Sequence, residues 1–234
     1  MRAGFGAFEA EREASFFTTG GLAAVHASGR DRQSIWQSLT SKETYGTTGD
    51  RILLWFDLVN QDSLIPMGST VNKTDNPTFR VKAVGAFEQK PGCPDYSSTD
   101  ITKEEIERIC KNECYNPSDT RKIISRIEIV KITPQIAKSE RIEDLIDDAW
   151  KTFECKPSQQ GCEIEFIDEE FEDNSRDTIY YVRAIQEPSP VVNGGNLRCT
   201  FNDKGECIKV NICYGDSRTD KEDDCLTLSE ERAW

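Results

Sequence analysis

One histidine, two nearby arginines and nine cysteines are the residues of this 234-residue chain best equipped for chemistry. His26 ends the short apolar run from Leu22 to Ala27, and Arg30 and Arg32 follow in the loop "SGRDR". A guanidinium offers a fork of donors that fits an oxyanion, so His26, Arg30 and Arg32 suit orienting a phosphate or sulfate group as substrate-binding residues. Tyr45, Thr47 and Thr48 of "TYGTTG" could line the same rim. The plainer account makes His26 a partly buried strand-end residue, and the arginines surface or helix-start charges. No nucleophile or phosphate motif accompanies them: GxSxG, HExxH and a Gly-Lys-Ser/Thr loop are all absent. With one His, neither a His-rich nor a dinuclear metal site can be assembled, and no catalytic or metal-binding residue is assigned in this chain.

Acidic residues crowd 168–173, which reads as a solvated loop or a protected edge rather than a cation site. Asp216, Asp220, Asp223 and Asp224 could gather around calcium, but their spacing departs from the EF-hand pattern.

The cysteines at 93, 110, 114, 155, 162, 199, 207, 213 and 225 all lie in the C-terminal two-thirds. Cys155 and Cys162 flank the turn "KPSQQG" and could face each other across a hairpin. Cys199 and Cys207 flank "TFNDKGE", where a loop 202–204 with Gly205 left-handed would set them opposite each other. Cys213 and Cys225 bracket a polar loop. Cys110 and Cys114 share a helix face and Cys93 could reach either one, so the fourth candidate pair is Cys93 with Cys114 or with Cys110, and one thiol is left over. Each bridge would stabilise by roughly 2–4 kcal/mol. Zinc is the rival use, but no CxxC knuckle is present.

The elements that must position these residues follow from periodicity. Asp31 caps a helix bearing Ile35, Trp36 and Leu39, and 51–59 is a nearly continuous apolar strand. Strand, capped helix and buried strand is the grammar of an α/β layer or barrel. Phe79, Val81, Ala83 and Gly85 alternate against Arg80 and Lys82, and 123–132 alternates likewise. Thr102 and Glu105 make a capping box for a helix with Ile106, Ile109 and Cys110 inward. Ser139 caps a helix whose stripe is Ile142, Leu145, Ile146, Ala149 and Phe153. Residues 178–185 form a central strand, 188–196 a loop and 197–212 a hairpin. A net charge of −13 argues against a nucleic-acid surface, and no apolar run approaches a membrane span. The N-terminus is no signal peptide.

The runs "GGLAAVHASGRDRQSIWQSL", "KETYGTTGDRILLWFDL", "PMGS", "YYVRAIQEPSPVVNG" and "EERAW" resemble the family called domain of unknown function 3604. That resemblance implies a metal-dependent hydrolase barrel of the polymerase and histidinol phosphatase (PHP) class followed by a β-rich region. The chain would match only its C-terminal part, without the His- and Asp-rich metal motifs. The fold class expected is α+β to mainly β: a terminal β-loop-α-β piece of an incomplete α/β barrel, then a disulfide-linked β-sandwich-like domain with two or three helices. Residues 1–50 would be the last barrel unit and 51–234 the accessory domain, its last strand missing. The resemblance implies a phosphoesterase-like fragment, inactive alone, whose partner is the missing N-terminal barrel portion and whose substrate is a small molecule. A divalent metal (Mn, Zn or Fe) is expected only in the full-length enzyme, which the cysteines place in the periplasm or outside the cell. The alternatives are an exported, non-catalytic β module that binds a partner or glycan, and a complete small enzyme with an unrecognised carboxylate site.

Overall fold

The computed structural model describes residues 20–61, 63–90, 92–95, 102–110, 114–172, 176–192, 199–210 and 226–234. In chain order the elements are β1 (Leu22–Val25), α1 (Arg32–Thr40), β2 (Thr44–Thr47), β3 (Leu53–Asn60), β4 (Ser63–Pro66), β5 (Thr78–Val84), β6 (Phe87–Gln89), α2 (Lys103–Cys110), β7 (Pro117–Arg121) and β8 (Ile124–Ile132). They continue with β9 (Ile146–Glu154), β10 (Cys162–Ile167), β11 (Ile179–Gln186), β12 (Ser189–Val192), β13 (Cys199–Phe201), β14 (Cys207–Val210), β15 (Leu226–Ser229) and β16 (Arg232–Ala233). Among the described residues the protein is mainly β, with two α-helices and disulfides, as its alternating apolar runs require.

One compact unit comprises 19–86, 123–187 and 230–234. It holds a six-stranded sheet, ordered β1-β2-β16-β11-β8-β9, and a four-stranded sheet, ordered β10-β5-β3-β4. Among the described residues every strand pairing in these two sheets is antiparallel, including β1 with β2. Alternation turns one set of side chains from each sheet inward. Leu54, Phe79, Val81, Ala83 and Phe166 from the smaller sheet join Ile127, Ile129, Val182, Ala184 and Ala233 from the larger in one core. Phe79 stacks with Phe166 at 5.3 Å and meets Tyr180 at 4.7 Å. Gln186 is also fully buried, donating to Asp50 (2.6 Å) and accepting from the Ala86 N–H (2.7 Å).

Residues 87–122 and 188–229 fall in a second unit, with three two-stranded sheets: β6–β7, β12–β15 and β13–β14. The capping box of α2 is present, Glu105 N–H donating to Thr102 Oγ1 (3.2 Å) and Thr102 N–H to Glu105 Oε2 (3.1 Å). Ile106 is buried as the periodicity requires.

Three expectations are corrected. The stretch taken as a helix behind Ser139 is a short 3-10 turn, Ile142–Leu145, followed by β9. Its apolar spacing fits a helix, but Asp147 and Asp148 are poor helix formers. Ala149 adopts φ +54°, and the edge of β8 offers a full ladder of backbone partners. The segment read as loop after Pro188 contains β12, which pairs with β15. In the β13–β14 hairpin Gly205 is left-handed (φ +77°) as expected, but Asn202 pairs with Glu206, so the loop is 203–205. Cys199 therefore lies opposite Val210 and Cys207 opposite Phe201, not opposite each other.

Cys93–Cys114 and Cys155–Cys162 are disulfides, and Cys207 is also bridged. Cys213, Cys225 and the candidate calcium acids 216–224 lie outside the described residues. Cys155–Cys162 ties β9 of one sheet to β10 of the other across seven positions. Replacing both cysteines by serine should cost about 2 kcal/mol, mainly by freeing the unfolded chain. Urea unfolding checks it: the double substitution should lower the midpoint, and dithiothreitol, which also opens the other bridges, should shift the wild type at least as far.

Candidate functional site

His26 follows β1 and is held from both sides of its backbone. Its N–H donates to Glu43 O (2.9 Å), and its carbonyl accepts from Ser38 Oγ (2.7 Å) on α1. Asp31 starts that helix, Oδ1 accepting from Ser34 N–H (3.0 Å) and Oδ2 from Ser34 Oγ (2.6 Å). These hydrogen bonds hold the Asp31 carboxyl below the ordinary carboxylate range.

The ring of His26 points at β3. β4 pairs only with 57–60, so the carbonyls of Ile52 and Leu54 lie beyond its reach. His26 Nε2 lies 2.8 Å from Leu54 O, and Tyr45 OH donates to Ile52 O at 3.0 Å. A carbonyl only accepts, so Nε2 carries a proton in this contact. His26 is ring to ring with Tyr45 at 5.5 Å and Trp55 at 5.7 Å. Burial pushes Asp57 up, opposed by the charges of His26 and Arg80.

The structure thus brings His26 and Tyr45 together, as the sequence suggested. Arg30 and Arg32 are exposed and form no ion pair among the described residues. Asp31 already occupies the start of α1, so an anion there would be held by the two guanidiniums and not by helix N–H groups. Thr47 is buried with its hydroxyl unpartnered among the described residues, while Thr48 Oγ1 donates to Glu231 and accepts from Arg232 N–H (2.9 Å).

Sequence reasoning passed over Trp55 and Asp57, although alternation along 53–59 would have set them on one face, and it placed Arg80 only as an outward residue of its strand. It also read Asp168 as part of a solvated acidic run. Asp168 is fully buried, paired with Lys131 Nζ at 2.6 Å and hydrogen-bonded by Tyr180 OH. The Lys131 and Lys151 ammonium groups lie 4.7 and 4.6 Å from the Trp150 ring centroid, and Lys151 also donates to Ile167 O (2.8 Å). This clasp joins the two sheets at one end. Burial pushes the Asp168 carboxyl up, but the hydrogen bonds from Lys131, Tyr180 and the Glu170 N–H outweigh it and hold it below its ordinary value. Burial, and then the same carboxylate, pushes the Tyr180 phenol up.

Among the described residues no group of three or more His, Cys, Asp or Glu could hold a metal ion, and no helix is long and apolar enough to cross a membrane. Compared with known proteins, residues 3–194 match the family model described as "Protein of unknown function (DUF3604)". No curated protein and no solved structure matches the chain.

Proposed function

Because this chain belongs to the DUF3604 family, we propose that it is the C-terminal part of a PHP-like, metal-dependent hydrolase of phosphate or related esters. The residues described here do not form a metal centre, so the metal ligands would belong to the upstream barrel portion. The bound metal would supply an activated water. This chain's part is to orient the anion: Arg30 and Arg32 present guanidiniums that form no ion pair among the described residues, and His26 stands beside them with its ring fixed through Nε2. The disulfides are compatible with export of the whole protein.

The observation that carries this reading is the outward face of α1. Ile35, Trp36 and Leu39 are exposed, Trp36 at 64%, and only Ser38 of this helix is buried. β1 beside it is the edge strand among the described residues, with Leu22 exposed. A helix seated through a serine, with its tryptophan outward, fits cover by further barrel elements.

Incubated with manganese, zinc or iron and a chromogenic phosphoester, the chain alone should show no turnover. Joined to a His- and Asp-rich portion encoded directly upstream, it should turn over, and Arg32→Ala should lower kcat/KM by about 100-fold. Turnover by the isolated chain would overturn the reading, as would an upstream frame without such residues.

A further inference from the structure

A second surface of the same unit, independent of the hydrolase reading, has the composition of a ligand site. On β3, Trp55 and Asp57 alternate with the inward Leu54, Phe56 and Leu58. Across the strands Trp55 lies opposite Lys82 and Asp57 opposite Arg80. On β10, Lys82 lies opposite Glu163, and Arg80 opposite Glu165. This is the outer face of the four-stranded sheet.

Arg80 Nε donates to Glu163 Oε1 at 2.8 Å, and the two side chains are 42% and 43% exposed. Arg80 Nη2 donates to the same oxygen, which leaves Nη1 and the second Glu163 oxygen without a partner among the described residues. Asp57 differs from both. It is partly buried, yet its carboxylate makes no hydrogen bond or ion pair among the described residues. A carboxylate drawn from water without donors is costly unless something supplies them. Next to it stands the Trp55 indole, flanked by His26 and with the Lys82 ammonium 5.8 Å from its centroid. That distance is near the limit of a cation–π contact, so the exposed lysine is loosely held and displaceable.

We propose that this face binds a neutral saccharide. The C–H face of a sugar ring packs on Trp55, a pair of adjacent hydroxyls donates to Asp57, and further hydroxyls meet Arg80 and Glu163. The charges choose the class of ligand. Three carboxylates (Asp57, Glu163, Glu165) repel a phosphate or sulfate, while Arg80 and Lys82 repel a cation. A purely apolar ligand would leave all five groups stripped of water and unpaired. A polyhydroxyl ligand with an apolar ring face satisfies the donors, the acceptors and the indole together.

The test titrates the full chain with soluble oligosaccharides of four to six glucose, mannose, galactose or xylose units. Calorimetry follows binding, and the indole N–H resonance of Trp55, identified by its loss in Trp55→Phe, reports the place. At least one series should bind saturably and shift that resonance. Trp55→Ala and Asp57→Asn should each weaken binding at least tenfold with melting temperatures unchanged, and Lys209→Ala should not. Binding should also survive 0.5 M sodium chloride. No binding by any series, binding that leaves the Trp55 resonance unmoved and withstands both substitutions, or binding abolished by salt would each overturn the proposal.

Discussion

Asp168→Ala should destabilise the protein by about 3–5 kcal/mol, the cost of leaving the Lys131 ammonium without its buried counterion. Lys131 is itself only 13% exposed, so water cannot replace the carboxylate fully. The Tyr180 hydroxyl loses its acceptor in the same step. Urea unfolding should show a lower midpoint at an unchanged m-value. The double variant Asp168→Ala with Lys131→Met should recover part of the loss, because it removes the orphaned charge. The sign of the pH dependence follows from the depressed carboxyl. Its contribution is present above the unfolded carboxylate value and is lost as pH falls through the lower folded one. Wild-type stability should therefore fall below about pH 4, and Asp168→Asn should flatten that part of the curve. An unchanged midpoint in Asp168→Ala would mean the clasp contributes nothing.

Gly161→Ala should cost about 3 kcal/mol or more, since it combines a forbidden backbone angle with a collision. Gly161 has φ +93°, and a Cβ there would run into the carbonyl oxygen of Ala83 and lie 3.0 Å from Val84 Cα. Both obstacles are backbone, or nearly so, in β5 at the middle of the four-stranded sheet. The neighbouring Cys162 is bridged to Cys155, so the turn cannot swing aside. Gly205 is the control: φ is +77°, but a Cβ there meets open space. Gly205→Ala should cost only about 1 kcal/mol, the penalty for the angle alone. Equal midpoint shifts for the two variants would show that the approach to Ala83 is not limiting.

The strands most legible in the sequence were those whose alternation is set by burial on one or both faces: β3, β5, β8 and β11. The starts of α1 and α2 were legible too, because Asp31 and the Thr102–Glu105 pair act within three residues of themselves. β7, β9 and β12 were not. β7 and β12 are short and contain proline, and β9 carries two aspartates and a left-handed alanine. Each is a strand because a distant partner offers it a ladder. β16, two residues long, pairs with both β11 and β2, which no local pattern could announce. Asp168 was hidden by its acidic neighbours, since nothing in the run says which carboxyl turns inward. His26 drew attention as the only imidazole. What its ring touches depends on the length of β4, a hairpin arm whose extent the sequence does not mark.

That short arm has a further consequence. Where β4 stops, an arriving extended peptide could lengthen the sheet by docking on the bare margin of β3. The Tyr45 phenol and the His26 imidazole already hold the two carbonyls it would need. Two aromatic side chains thus act as stoppers against chain-on-chain stacking, and losing either would leave a foothold for fibre-like growth.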